Sequence, residues 1–263
     1  MAYVIALAQC GYPADGDVLA QVSSLCAKAA GRGVRLVVFP EDVMSPTRLG
    51  PAELRGIAQP LDGPFVIGVR EAARRHGLWA VFTCYESNGD AAPYNTAVVV
   101  DDAGEVRGTY RKCHLYDAHG VRESDRNTVG DQLFVPVDTP FGRLGLAICY
   151  DLRFPEVARA AAVAGCDLLA FPSAWHDGPE KLAHWRTLLR ARAIENELFV
   201  VGVCKAGERY AGHSLVAGPL GRVLAEASGK GEELLTCEVD RAAVASARDA
   251  MPVLAHRRLE LYR

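Results

Sequence analysis

The chain carries the same order of segments twice, and this repeat restricts its fold more than any other feature. Residues 29–41, AAGRGVRLVVFPE, read as a helix end, a turn, a buried strand and a Phe-Pro bend followed by a polar residue; residues 162–173, AVAGCDLLAFPS, repeat that order. The apolar run 78–86 followed by NTAVVVDDAGEVRGTY (95–110) is likewise echoed by LFVVGVCK (198–205) followed by HSLVAGPLGRVLAEA (213–227). Each of these second members has strand, Gly-containing turn and strand, the signature of a hairpin. Both halves thus run helix, strand, helix, strand, hairpin. Runs such as LVVF and LLAF are apolar at every position, as strands covered on both faces must be. The pattern predicts an α/β fold: a four-layer α-β-β-α sandwich of two stacked mixed sheets, related by an internal pseudo-twofold repeat. Helices are expected near Val18–Ala30, Pro64–His76, Pro155–Ala164 and Leu182–Asn196, where the pattern is amphipathic or alanine-rich.

No Pro/Gly/Ser-rich linker interrupts the 263 residues, so a single domain over 1–263 is expected. The stretch from Asp240 reads as a short helix broken at Met251-Pro252 and then a basic tail; the 241–263 segment has no evident dock within the chain and is expected at an oligomer interface. A hydrophobic content of 50% suffices for a large core, and a net charge of -3 gives no electrostatic support for nucleic acid or an anionic membrane as partner. The apolar N-terminus lacks a basic leader and is too short to span a bilayer, so it reads as a core strand. The eight cysteines are scattered, without a CxxC pair or zinc-like spacing, which argues against structural zinc and for reduced thiols in the cytoplasm.

One cysteine is placed differently from the rest. In GRLGLAICYDLRFPE (142–156) a strand pattern up to Ile148 meets a helix pattern from Pro155, leaving Cys149 on the turn between them. There a thiol can face a cavity with backbone N–H groups beside it, as a nucleophile and an oxyanion site require. Cysteine-based acyl transfer also needs a base and a cation. Glu41, just after a buried strand, and Lys112, just after the first hairpin, can supply them; apolar walls are expected to raise the Glu41 pKa, and the ammonium to make the Cys149 thiolate accessible. Taken singly, each has an ordinary alternative: a buried small hydrophobe for Cys149, solvated side chains for the other two.

The ordered segments FPE (39–41), YRKCHLY (110–116) and ICYDLRFPE (148–156) resemble the three signatures of the nitrilase superfamily of carbon–nitrogen hydrolases. FPSAW (171–175), LLRARAIEN (188–196) and GHSLVAGPLGRVL (212–224) resemble its amidase branches, similar to omega-amidases and deaminated-glutathione amidases. The resemblance implies Glu41 as general base, Cys149 as nucleophile and Lys112 at the oxyanion, with the Tyr150 N–H completing the oxyanion hole and Glu123 as a second, positioning glutamate. The segment around Glu123 is short and irregular, so an exposed acid is its alternative. No cofactor is implied. The expected partner is a small linear carboxamide, including one with a distant carboxylate, and the expected assembly is a homodimer or higher homo-oligomer.

Other readings stay open at this level. A nitrile or an N-carbamoyl amine could use the same triad, and a non-catalytic interaction module could use the same fold. Ser214 lacks the second glycine of a serine-hydrolase elbow. His114, His176 and His213 are expected in structural or pocket-wall roles. Asp151 and Arg153 are expected to cap and pair at the elbow, Ser173 and Trp175 either to line the pocket mouth or to pack ordinarily, and Arg186, Arg190 and Arg192 to be solvated or at an interface, the alternative being that one of them neutralises a substrate carboxylate.

Overall fold

The computed structural model describes residues 2–46 and 49–261. In chain order the elements are β1 (Ala2–Gln9), α1 (Val18–Ala30), β2 (Val34–Val38), α2 (Pro51–Ile57), α3 (Pro64–His76), β3 (Trp79–Glu86), β4 (Tyr94–Val100), β5 (Val106–Arg111), β6 (Asp117–Ala118) and β7 (Val121–Arg122). There follow β8 (Val137–Thr139), β9 (Gly142–Leu146), α4 (Pro155–Val163), β10 (Leu168–Ser173), α5 (Lys181–Asn196), β11 (Phe199–Cys204), β12 (Leu215–Ala217), β13 (Val223–Glu226), β14 (Glu233–Asp240) and α6 (Arg241–Ala250). Helix ends obey local chemistry. Asp17 caps α1 by accepting the Ala20 N–H at 2.9 Å, Pro64 and Pro155 open their helices, and α3 ends on Gly77 at φ 62°, a left-handed conformation that glycine adopts without strain.

The predicted repeat is real in three dimensions. One sheet has the order β14-β1-β2-β3-β4-β5, the other β8-β9-β10-β11-β12-β13. In both, the outer strand pairs antiparallel with the second, two parallel pairings follow, and an antiparallel hairpin closes the sheet. The strands adjoining β1 and β9 are ones that the sequence reading did not foresee: β14 returns from the end of the chain to pair Ala2 with Asp240. Alternation then divides the first sheet between two cores. Ile5, Leu7, Leu36, Val38, Val81 and Val99 pack toward the second sheet, whereas Ala6, Ala8, Val37, Phe82 and Val98 pack under α1 and α3. Both faces are covered, which accounts for the unbroken apolar strands.

The end of the chain departs from expectation. Helix α6 does dock within the chain: Val244 and Ala247 are buried, Arg248 donates to the Cys166 carbonyl at 2.8 Å, and Arg241 lies 3.0 Å from Asp167. Beyond it, Met251, Leu259 and Leu261 are exposed. Among the described residues, no helix is long and apolar enough to cross a membrane.

At Gly202, β11 packs tightly against α5. A Cβ there would stand 2.5 Å from Leu189 Cδ1 and 2.7 Å from Trp185 Cζ2, both fully buried on α5 and unable to retreat. Gly202→Ala is expected to destabilise the protein by about 1–3 kcal/mol through overpacking. Gly56→Ala, on the exposed face of α2 with nothing near the added methyl, is expected to stabilise it by about 0.5–1 kcal/mol. Urea unfolding of the two variants, with opposite shifts in midpoint, checks this packing.

Candidate active site

Strand ends from both halves converge on one pocket. Glu41 lies three residues beyond β2, on a bend whose next residue, Asp42, has φ 62°. Lys112 follows β5 directly, and its backbone is held on both sides: its N–H donates to the Asn95 carbonyl at 2.9 Å and its carbonyl accepts from Gly130 at 2.8 Å. Glu123 opens a short 3-10 turn, Glu123–Asp125. Cys149 begins another, Cys149–Arg153, at φ 45°, a left-handed conformation costly for any residue with a Cβ.

The Lys112 ammonium is the hub of this site. It donates to Glu41 Oε1 at 2.9 Å and to both oxygens of Glu123, at 3.1 and 2.9 Å. All three side chains are buried, with residue exposures of 2% for Lys112, 5% for Glu41 and 3% for Glu123. Glu123 is therefore no exposed acid on a charged loop. Asn95, at the head of β4, bridges the two carboxylates, its amide nitrogen 2.7 Å from Glu41 Oε1 and 3.3 Å from Glu123 Oε1. The other Glu41 oxygen accepts the Ala174 N–H at 2.8 Å, and Glu123 Oε2 accepts the Tyr116 N–H at 2.7 Å. Since Ala174 follows β10 as Glu41 follows β2, that bond joins equivalent strand ends of the two repeats.

The Cys149 side chain lines the same pocket as Glu41, Lys112 and Glu123. Burial alone would push the Glu41 pKa up, but the charge and hydrogen bond of Lys112, with the Ala174 N–H and the thiol, outweigh it and hold the carboxyl below its usual range. The expectation of a raised Glu41 pKa is thus overturned. The thiol moves the other way: burial first, then the Glu41 charge, push it well above an ordinary cysteine, and the opposing pull of Lys112 does not compensate. The expectation that the ammonium frees a thiolate is also overturned. Lys112 itself is held well above the usual lysine range, because the two carboxylates outweigh the cost of burying its charge. The resting combination is carboxylate, ammonium and neutral thiol.

The elbow is fixed by Asp151, which is fully buried. Its Oδ2 accepts the Ile148 N–H and the Tyr110 hydroxyl, both at 2.8 Å, while Oδ1 lies 3.2 Å from the His114 N–H and 2.7 Å from His114 Nδ1. The segment bearing Lys112 is thereby tied to the turn bearing Cys149. Asp151 and Arg153 do not pair as expected; the Arg153 guanidinium lies 4.7 Å over the Trp175 ring.

Above these groups lies a pocket of about 770 Å³ counted to its open mouth, lined among others by Tyr116, Tyr150, Trp175, His176 and Tyr210. Tyr150 meets Tyr116 edge-on, with ring centroids 5.0 Å apart, and Trp175 Nε1 donates to the Lys181 carbonyl at 3.0 Å. Ser173 does not line it: the residue is fully buried and its hydroxyl donates to the Phe171 carbonyl at 3.1 Å. Nor do the arginines of α5. Arg186 bonds Glu226, Arg190 the Gly221 carbonyl, and Arg192 the Leu152 carbonyl and Glu195. His213 lies 3.1 Å from Glu226, and Ser214 is bound to Gln9.

The residues that sequence reasoning missed are Asn95 and the pair Asp42–Lys205. Lys205, 1% exposed, donates to the Asp42 carbonyl at 2.5 Å and the Ser45 carbonyl at 2.7 Å, and lies 3.3 Å from Asp42 Oδ2, bracing the bend that carries Glu41. Each left a trace in the sequence: Asn95 heads the apolar run NTAVVV and Lys205 ends LFVVGVCK, polar residues where burial demands a partner.

Residues 4–249 match the sequence signature of the carbon–nitrogen hydrolases. The bovine deaminated glutathione amidase is 37% identical over 257 residues, covering 91% of this chain and 77% of that protein. The nitrilase and fragile histidine triad fusion protein NitFhit of Caenorhabditis elegans is 36% identical over 274 residues; the alignment takes in 97% of this chain but only 61% of that protein's length. Its crystal structure superposes with a TM-score of 0.90 over 100% of this chain and 66% of the other. A glutamate-to-glutamine variant of an amidase from Nesterenkonia sp. AN1, carrying the acetamide moiety of fluoroacetamide on its active-site cysteine, matches with a TM-score of 0.83 at 26% identity, over 100% and 96% of the two chains.

Replacing Glu41 by Gln removes the negative charge of that side chain, which raises the thiol pKa, while Lys112 stays held by Glu123. The Cys149 pKa is therefore expected to fall. The pH dependence of alkylation by a neutral haloacetamide should shift to lower pH in Glu41→Gln; an unchanged or upward shift would contradict the assignment. The fold, the three sequence signatures and the relatives agree, and the chain belongs to the carbon–nitrogen hydrolase family of the nitrilase superfamily.

Proposed function

We propose that the protein hydrolyses a small linear carboxamide to acid and ammonia through a thioester on Cys149. The observation that carries this reading is the buried Glu41–Lys112 ion pair, 2.9 Å apart, in the pocket that Cys149 also lines. Glu41 takes the thiol proton as sulfur attacks the carbonyl carbon, so charge passes to sulfur only as it is consumed. An ammonium has three donors, and Lys112 commits two directions to Glu41 and Glu123; the third serves the tetrahedral oxyanion, together with the Tyr150 N–H. Glu41 returns its proton to the departing nitrogen, ammonia leaves and the thioester remains. Water, deprotonated by the same carboxylate, then attacks the thioester and restores the thiol. Glu123 positions Lys112 throughout.

The amidase names of the bovine and Nesterenkonia relatives support the amide as acyl donor. Cationic side chains at the pocket support a carboxylate elsewhere on the substrate. Eight free thiols favour a reducing, cytoplasmic setting. Exposed Val163 on α4 and Ile194 on α5, with exposed Met251, Leu259 and Leu261, favour assembly into a homodimer or larger oligomer.

Incubation with short omega-amides is expected to release ammonia and acid in equal amounts, without carbon dioxide, and to leave nitriles intact. Cys149→Ala should lose turnover by at least about a thousandfold, the loss typical of a missing nucleophile. Nitrile cleavage or carbon dioxide release points to the nitrilase or N-carbamoyl alternatives. Absence of both turnover and a Cys149 acyl adduct by mass spectrometry points to a non-catalytic module.

A further inference from the structure

A second buried lysine serves no step of the proposed chemistry. Lys205 follows β11 directly, is 1% exposed and is not among the residues that line the active-site pocket. Its ammonium donates to the Asp42 carbonyl at 2.5 Å and the Ser45 carbonyl at 2.7 Å, and lies 3.3 Å from Asp42 Oδ2. An ammonium has three hydrogens, so the oxygens of one short loop take them all and leave none for a substrate. Around this cation stand Asp42, Tyr85, Tyr210 and Cys10. Burial pushes the Asp42 carboxyl up, opposed by the Lys205 charge, and pushes the other three up as well, Cys10 to about 12.

What Lys205 holds is the bend that aims Glu41. Asp42 sits at φ 62°, a left-handed backbone conformation that a residue with a Cβ keeps only where its surroundings impose it. The first sheet supplies two restraints: Thr83 Oγ1 accepts the Asp42 N–H at 3.1 Å, and the Tyr85 hydroxyl donates to Asp42 Oδ1 at 2.7 Å. Lys205 adds its own from the second sheet. Its backbone N–H donates to the Ser173 carbonyl at 2.8 Å, at the end of β10. The residue after Ser173 is Ala174, whose N–H holds Glu41 Oε2 at 2.8 Å. Lys205 is therefore joined by its side chain to the residue after Glu41, and by its main chain to the residue before the donor that grips the Glu41 carboxylate. One residue ties together the two supports of the base.

We infer that Lys205 is a positioning residue for Glu41, fixing its carboxylate against the Ala174 N–H and beside Cys149 by clamping the 42–45 bend to the end of β10. The inference rests on Glu41 as the base of the amidase reading, and its test has one arm with turnover and one without. For a neutral amide, Lys205→Met should lower kcat by about 10–100-fold with KM nearly unchanged, as a small misplacement of a catalytic group does. The acid limb of kcat/KM should move to higher pH, because a displaced Glu41 loses the Ala174 bond that helps to hold its carboxyl down. Lys205→Gln, which keeps an amide donor, should recover part of both. Without turnover, the pH dependence of Cys149 alkylation by a neutral haloacetamide, followed by mass spectrometry, should shift to lower pH in Lys205→Met, because displacing the Glu41 charge weakens its upward push on the thiol. In a Glu41→Gln background the same substitution should add no further shift, since the group it acts through has lost its charge. Wild-type kcat or an unshifted alkylation profile in folded Lys205→Met overturns the inference. So does an equal alkylation shift with and without the Glu41 charge, the mark of a general loosening of the fold. If Lys205→Met does not fold, Lys205→Gln carries the same comparisons with the same outcomes. Failure of the wild type to hydrolyse any amide removes the amidase reading, and the alkylation cycle then decides the inference separately.

Discussion

A single buried ammonium organises this protein's site. Lys112 stands between Glu41 and Glu123 with almost no exposure to water, and its charge and hydrogen bond lead the influences that hold the buried Glu41 carboxyl below its usual range. Breaking a buried ion pair costs about 3–5 kcal/mol, because the remaining charge is stranded, so the three groups constrain one another strongly. They also arrive from distant parts of the chain: the end of β2, the end of β5 and the turn after β7. Asn95 and the Ala174 N–H then orient Glu41 so that one oxygen is shared with Lys112 and Asn95 and the other is held from the second repeat.

The pseudo-twofold fold explains why this convergence is possible. Two sheets of matching order stack face to face, so the ends of β2 and β10 meet on the same side of the sandwich. The repeat has diverged at those ends into different tasks: one carries the carboxylate, the other the N–H that holds it. The strained Cys149 backbone is bounded by Asp151, whose four contacts reach Ile148, the residue before the elbow, and the segment around Lys112. In the proposed chemistry this fixes nucleophile and cation relative to each other before substrate arrives.

Much of this was legible in the sequence for physical reasons. Apolar strands covered on both faces and the repeated helix-strand-hairpin order led to the layered fold and placed four helices within a residue at either end. The junction at Ile148 and Cys149 announced the elbow. What stayed hidden depends on distance in space. Asn95 and Lys205 look like ordinary polar residues until their partners, 54 and 163 positions away, are known. The pKa directions of Glu41 and Cys149 were misread because burial and charge oppose each other there, and sequence does not reveal which prevails. Ser173 occupies the repeat position of a site residue yet turns its hydroxyl into its own strand. The α5 arginines failed as candidates because their partners lie on the β12–β13 hairpin and beside the elbow.

The central claim is that the enzyme rests as a neutral thiol on an ionised carboxylate and moves the proton during attack. The pH dependence of kcat/KM for a neutral amide tests it most directly. The account predicts a plateau across neutrality, with activity lost on the acid side only below the ordinary carboxylate range near about 4.3 and on the alkaline side only above the ordinary thiol range near about 8.5. A profile whose acid limb falls near neutrality, or whose rate rises through a thiol pKa below the ordinary value, would contradict it.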